Sequence, residues 1–118
     1  MKIEMSCAFC QIVEYEEGAG AEIVQRWPET IAFVPLKPVT EGHLLVVPRA
    51  HVSDAREDPT VTGTTMVRAA EIADAVGFDC NLITSVGEDA TQSIWHLHIH
   101  VVPRRPGDSL LLPWSGQS

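Results

Sequence analysis

Apolar and polar positions along this chain follow two different periods. Short runs rich in β-branched and aromatic residues read as strands at 21–27, 30–34, 43–47, 80–85 and 94–102. Turn residues bound them: Pro28-Glu29 after the first, Pro35 and Pro38 after the second, Pro48 after the third and Pro103 after the last. One segment has helical spacing instead, with Met66, Ala69, Ala70, Ala73 and Val76 on one face. Asp58 is placed to cap it, Pro59 suits its first turn and Gly77 its end. Residues 7–14 have room for one or two further helical turns, and 14–20 read as an acidic, glycine-containing loop. Strands in succession, joined by short connections and accompanied by one long and one short helix, predict an α+β fold with a mainly antiparallel sheet of about five strands. No internal repeat or low-complexity segment divides the chain, so residues 1–118 are expected to form a single domain.

Composition narrows the partners. The chain is 45% hydrophobic, enough for a core, and carries a net charge of −8. A non-specific nucleic-acid binder needs a basic face. Here Arg104-Arg105 is the one adjacent basic pair, and an exposed pair of this kind is ordinarily just solvated. Nucleic acid is therefore not expected as a partner, whereas a small anionic ligand held by local donors is. No apolar run approaches the ~20 residues that span a bilayer. Met1 to Met5 show no secretory leader, so the expected setting is the cytoplasm, without a membrane. The apolar tail Leu110-Leu111-Leu112-Pro113-Trp114 is expected to pack on something, such as a partner subunit.

Candidate chemistry concentrates in His96-Leu97-His98-Ile99-His100. On a strand the three imidazoles share one face, each ~7 Å from the next, while Leu97, Ile99 and Val101 face a core. A merely solvated strand face would mix Thr, Lys, Glu and Gln. Two readings compete beside it. Alternate histidines can chelate a metal, with His43 or His51 as further ligands. A free imidazole, oriented through its other nitrogen beside phosphate donors, can act as a nucleophile. Three cysteines in a chain without a leader do not suggest a disulfide scaffold. Cys7-Ala8-Phe9-Cys10 reads as a metal pair or as reduced core thiols; no strand precedes it, which weakens a redox role. Cys80 reads as a small buried hydrophobe.

These segments together resemble the histidine-triad (HIT) family. His96 to Val102 is similar to its His-x-His-x-His signature followed by two apolar residues. Gly42-His43, the apolar run to Val47, Pro48-Arg49 and His51-Val52 match a second family segment, and Gln92-Ser93 stands before the signature as in the Hint branch. Cys7 to Val13 resembles the zinc-bearing N-terminus of many bacterial members. The resemblance implies a HIT-like fold and a hydrolase or transferase acting at the α-phosphate of nucleoside phosphoramidates or related nucleotide conjugates. It gives His98 the role of nucleophile, forming a nucleotidyl-histidine that water then cleaves. By the same resemblance His100 donates to phosphate, His43 supports the nucleophile, Ser93 helps protonate the leaving group, Gln92 offers an amide donor to phosphate, and Phe33 packs near the base or ribose. It assigns Cys7, Cys10, His51 and His96 to a structural zinc ion, and it implies a homodimer built through the long helix and an edge strand.

The chain departs from the family at the ribose. Where many members place an aspartate two residues after the phenylalanine, Pro35 stands, and Ser85 takes the position of a second contact. Alternative readings are a dinucleoside polyphosphate hydrolase, a phosphorolytic or nucleotidyl-transfer variant, a nucleotide-sensing or interaction module with little turnover, and a catalytic metal chelated by histidines.

Overall fold

A computed structural model describes residues 6–114; Met1 to Met5, on which the expectation about a leader rests, lie outside the described residues. Among those described, helix α1 spans Ala8–Glu14 and helix α2 spans Pro59–Val76. The strands are β1 Ile23–Arg26, β2 Thr30–Phe33, β3 Leu44–Pro48, β4 Cys80–Ile83 and β5 Ile99–Pro103. They form one sheet in the order β1-β2-β3-β5-β4, with every neighbouring pair antiparallel. The α+β architecture expected from the pattern is therefore the one observed. No helix of the described residues is long and apolar enough to cross a membrane.

Alternation along the strands sends side chains to two cores. Ile31 and Phe33 of β2, with Leu45 and Val47 of β3, pack with Phe9, Ile12 and Val13 of α1. Ala32, Val46, Ile99 and Val101 point the other way and pack with Ala69 of α2. The sequence order places His100 between Ile99 and Val101, so its side chain lies on the α1 side of the sheet. The catalytic candidates and α2 thus occupy opposite faces.

Helix α2 begins and ends as its sequence predicts. The Asp58 carboxylate accepts from the N–H groups of Thr60 and Val61, and Gly77 adopts φ 70° at the C-cap. Its buried face differs from the expected one. Thr65 and Ala69 are buried with Met66 and Ile72 packed beside them, while Ala70 and Val76 are exposed. The helix docks on β3 and β5 along that stripe, and Thr65 is admitted because its hydroxyl donates to the Val61 carbonyl.

The last strand is a larger correction. It starts at Ile99, so His96 and His98 precede it in irregular backbone and do not stand at regular strand spacing. Their backbone groups have other partners. The His96 carbonyl accepts from the His98 ring at 2.8 Å, the His98 carbonyl accepts from the Thr84 hydroxyl at 2.8 Å, and the Leu97 N–H donates to the Val52 carbonyl at 2.7 Å. The apolar tail is largely open in the single chain: Leu111 is 83% exposed and Trp114 63%. Arg104 anchors its base through Asp108, Asn81 and the Leu110 carbonyl.

Candidate active site and metal centre

The N-terminus of α1 brings two thiols together. Cys7 is the N-cap, and its Sγ accepts from the Cys10 N–H at 3.4 Å, so N-cap and third helical residue present their sulfurs at one end. His96 arrives from the irregular segment before β5. Its Nε2–H donates to the Pro48 carbonyl at 2.8 Å, which leaves Nδ1 as a lone pair 3.5 Å from both sulfurs. His51 completes the group with Nδ1 3.2 Å from Cys10 Sγ. All four ligand atoms lie within 4.8 Å of one another. Zinc–sulfur and zinc–nitrogen bond lengths set the edges of a tetrahedron at about 3.5 Å, so the donor set and its spacing fit one such ion. The Pro48 carbonyl fixes the His96 tautomer from outside.

His98 uses its nitrogens the opposite way. Nδ1–H donates to the His96 carbonyl at 2.8 Å, leaving Nε2 with the lone pair. The Phe9 ring stands edge-on against the imidazole, centroid to centroid 5.2 Å at 85°. Phe9 also packs edge-on against Phe33 at 5.4 Å. Thr84 holds the His98 carbonyl, so ring and backbone are fixed from three sides.

A second relay orients His100. The Val39 N–H donates to His43 Nδ1 at 3.1 Å, which makes His43 Nε2 the protonated nitrogen. That proton is donated to His100 Nδ1 at 2.9 Å, leaving the His100 Nε2–H as a donor. Gly42, with φ 88°, makes the turn that delivers His43 to this position, and a Cβ there would stand 3.2 Å from the Pro103 ring. The hydrogen bond of His43 goes to His100, whose ring lies 5.2 Å from that of His98, so the path from His43 to His98 runs through His100.

Burial disfavours the charged form of each of these imidazoles. Burial pushes His100 down to about 4, aided by repulsion from His98 and His43. His43 is lowered by burial as well. Burial also lowers His98, against the opposing pull of its bond to the His96 carbonyl.

His98 and His100 open into a cavity of about 840 Å³. That volume suits a nucleotide-sized ligand. Phe9, Ile12, Phe33 and Leu45 give it an apolar wall, and Ser93 lines it near the histidines. Phe33 belongs both to the core and to this wall. Pro35 and Ser85 line it too, together with one carboxylate, Glu22, and one ammonium, Lys37. Gln92 departs from its expected role. Its amide N–H groups donate to the carbonyls of Ser53 and Ile94, and its oxygen accepts from the Gly87 N–H. The side chain therefore organises the 87–94 loop, and no amide donor is left for a phosphate. Arg105 holds Thr40 and the Glu41 carbonyl, and neither Arg104 nor Arg105 lines the cavity.

Sequence reasoning missed Phe9, Thr84 and the Val39 N–H. Phe9 was hidden inside the CxxC, where attention falls on the thiols. Thr84 had a findable signal, a polar residue just past a strand. The Val39 amide had none.

Comparisons with known proteins converge on one family and fold. The HIT domain family matches residues 17–107. An adenosine 5′-monophosphoramidase of Saccharomyces cerevisiae is 30% identical over 118 residues, which cover 98% of this chain and 73% of that protein. A zinc-bound histidine triad family protein from Mycobacterium smegmatis is 35% identical with a TM-score of 0.77, covering 91% of this chain and 81% of that one. A HIT family protein from Bacillus anthracis is 27% identical with a TM-score of 0.81, covering 94% of this chain and 82% of that one.

Proposed function

The chain belongs to the histidine-triad family, and from that premise we propose that it hydrolyses nucleoside phosphoramidates or related conjugates at the α-phosphorus, through a nucleotidyl-histidine on His98. The observation that carries this reading is the pair of opposed nitrogens at the cavity: a lone pair on His98 Nε2 beside an N–H on His100 Nε2. One can bond phosphorus while the other donates to a phosphate oxygen. The similar yeast phosphoramidase supports the substrate class.

The steps follow from the tautomers. His98 Nε2 attacks phosphorus, the bond to the leaving nitrogen breaks, and that nitrogen takes a proton relayed from solvent by the Ser93 hydroxyl. The ring then carries positive charge with its Nδ1–H still on the His96 carbonyl, whose dipole stabilises it. Water next attacks phosphorus and gives one proton back to solvent, the electron pair of the broken P–N bond returns to Nε2, and the nucleoside monophosphate leaves. Phe33 and Phe9 supply the apolar wall for the base.

Cys7, Cys10, His51 and His96 would hold a structural zinc ion, joining α1 to the segment that ends in His98. When bound, the ion contributes cross-linking, and no open coordination position remains for substrate. The reduced thiols suit the cytoplasm. A homodimer through α2 and the edge strand β4 would cover Val67, Val76, Phe78 and Ile83, which are exposed in the single chain. Incubation with adenosine 5′-phosphoramidate tests the reading: wild type releases AMP and ammonia and His98→Ala does not. Equal release by both would remove His98 as the nucleophile.

A further inference from the structure

The segment that delivers His43 has no regular structure of its own. It runs from residue 34 to residue 43, between the end of β2 and the start of β3, and Leu36 and Val39 are exposed in it. Pro35 and Pro38 carry no backbone N–H, so the segment has few groups with which to order itself. One of its amides nevertheless sets the tautomers of two imidazoles. The Val39 N–H meets His43 Nδ1, the His43 Nε2–H meets His100 Nδ1, and the His100 Nε2–H is the donor left for the cavity.

The segment is held at a four-residue turn. The His43 N–H donates to the Thr40 carbonyl at 3.2 Å. Gly42 has φ 88° and Glu41 has no positive φ, the combination of a type II turn. Type I and type II differ in the peptide between the two central residues, which faces opposite ways in the two. Here that peptide is Glu41–Gly42, and its carbonyl accepts from Arg105 Nη2 at 3.1 Å. Arg105 Nη1 donates to the Thr40 hydroxyl at 3.0 Å. One planar guanidinium therefore grips the first two residues of the turn. Among the described residues, no other side chain from outside the segment hydrogen-bonds to residues 39–41.

Arg105 is itself aimed. Its N–H donates to Asp108 Oδ2 at 2.9 Å, and its guanidinium stands over the Phe78 ring at 5.9 Å. Asp108 is fixed in turn by both its oxygens, which accept from Arg104. The arginine pair, which sequence alone reads as solvated, thus braces a turn far away in the chain.

We infer that Arg105 is a positioning residue of the histidine site. By holding the Glu41 carbonyl it keeps the turn in its type II form, the Val39 N–H on His43, and the Nε2–H of His100 turned to the cavity. With the clamp gone the central peptide can rotate, and Gly42 leaves the left-handed region. His43 then loses its fixed donor and populates both tautomers. In the second tautomer the chain of donors reverses, and His100 presents a lone pair to the cavity in place of an N–H. The consequence for turnover rests on the hydrolytic reading above; the consequence for the tautomers does not.

Nitrogen NMR of the imidazoles tests the tautomers without substrate. In wild type His43 should give one protonated Nε2 and one accepting Nδ1. Arg105→Ala should move the His43 and His100 nitrogens toward the averaged shifts of a tautomer mixture. With adenosine 5′-phosphoramidate, Arg105→Ala should lower kcat by about three- to tenfold and leave KM within about twofold of wild type. Arg105→Lys, which keeps the charge and can make one of the two contacts, should recover part of the loss. In a His43→Phe background Arg105→Ala should change nothing further, because the residue it acts through is gone. An unchanged imidazole spectrum in Arg105→Ala overturns the inference. So does the same fractional loss of kcat with and without His43, which would give Arg105 a general structural role. A wild type that releases no AMP would remove the hydrolytic reading and Arg105's part in turnover together, and the imidazole spectrum alone would then decide the positioning.

Discussion

Two halves of one five-residue segment use the same side chain for opposite purposes. At His96, Nε2–H is tied to the Pro48 carbonyl and Nδ1 faces two thiols. At His98, Nδ1–H is tied to the carbonyl of His96 itself and Nε2 is left for the cavity. The residue type is identical, with His96 fully buried and His98 half-buried at the cavity. What differs is which nitrogen meets a backbone carbonyl, and that choice turns one imidazole into a metal ligand and the other into a nucleophile candidate. The two halves are joined, because the carbonyl that orients His98 belongs to a metal-ligand residue.

The comparison breaks most sharply at His98. Replacement by Ala is expected to cut AMP release by about a thousandfold or more while leaving the melting temperature close to that of wild type. A matching loss of stability would show that the ring serves the core instead of the reaction. In the metal half, Cys10→Ser should take zinc from about one ion per chain to nearly none and lower the melting temperature by about 10 °C. Zinc retained at full occupancy in that variant, measured by elemental analysis, would contradict the four-residue site.

Smaller effects sharpen the orientation argument. His43→Phe removes the proton that fixes the His100 tautomer, and kcat should fall by roughly ten- to a hundredfold, less than for His98→Ala. An unchanged kcat would mean that His100 needs no such partner. Acidity tests the same relay through stability. His100 titrates at about 4 in the folded protein against an ordinary 6.5, chiefly because burial disfavours its charged form, and His43 is lowered for the same reason. The unfolded chain therefore binds more protons between these values, so the contribution to stability is whole above pH 6.5 and is lost as pH falls toward about 4. Wild type should lose more melting temperature across that window than His100→Gln, which lacks one of the groups; equal slopes would argue against a neutral relay. Smallest of all, Thr84→Val should reduce kcat a few-fold by releasing the His98 carbonyl, and a change in KM alone would place its effect on binding instead.

Much of the architecture was legible because it rests on local signals. Asp58 and Gly77 mark the ends of α2, and prolines or turn residues bracket β2 and β3. The strand order, with β5 inserted between β3 and β4, depends on pairings between segments far apart in sequence, and no local pattern encodes it. The site divides along the same line. The four metal-ligating candidates were grouped from family resemblance and meet in space. The histidine segment was read as a continuous strand because alternation fits one, yet the His98 ring and the Thr84 hydroxyl take the carbonyls that a ladder would have used. Gln92 misled in a related way: a polar side chain beside a signature motif looks available, and its three hydrogen bonds to loop backbone were invisible in the sequence.

The central claim is that His98 Nε2 carries the nucleotide. Wild type mixed with adenosine 5′-phosphoramidate, denatured within the first turnover at alkaline pH and digested, can be mapped by mass spectrometry. An adenylyl group on the peptide at His98 is the result this account predicts. The same group on His43, His100 or Ser93, with His98 unmodified, would contradict it.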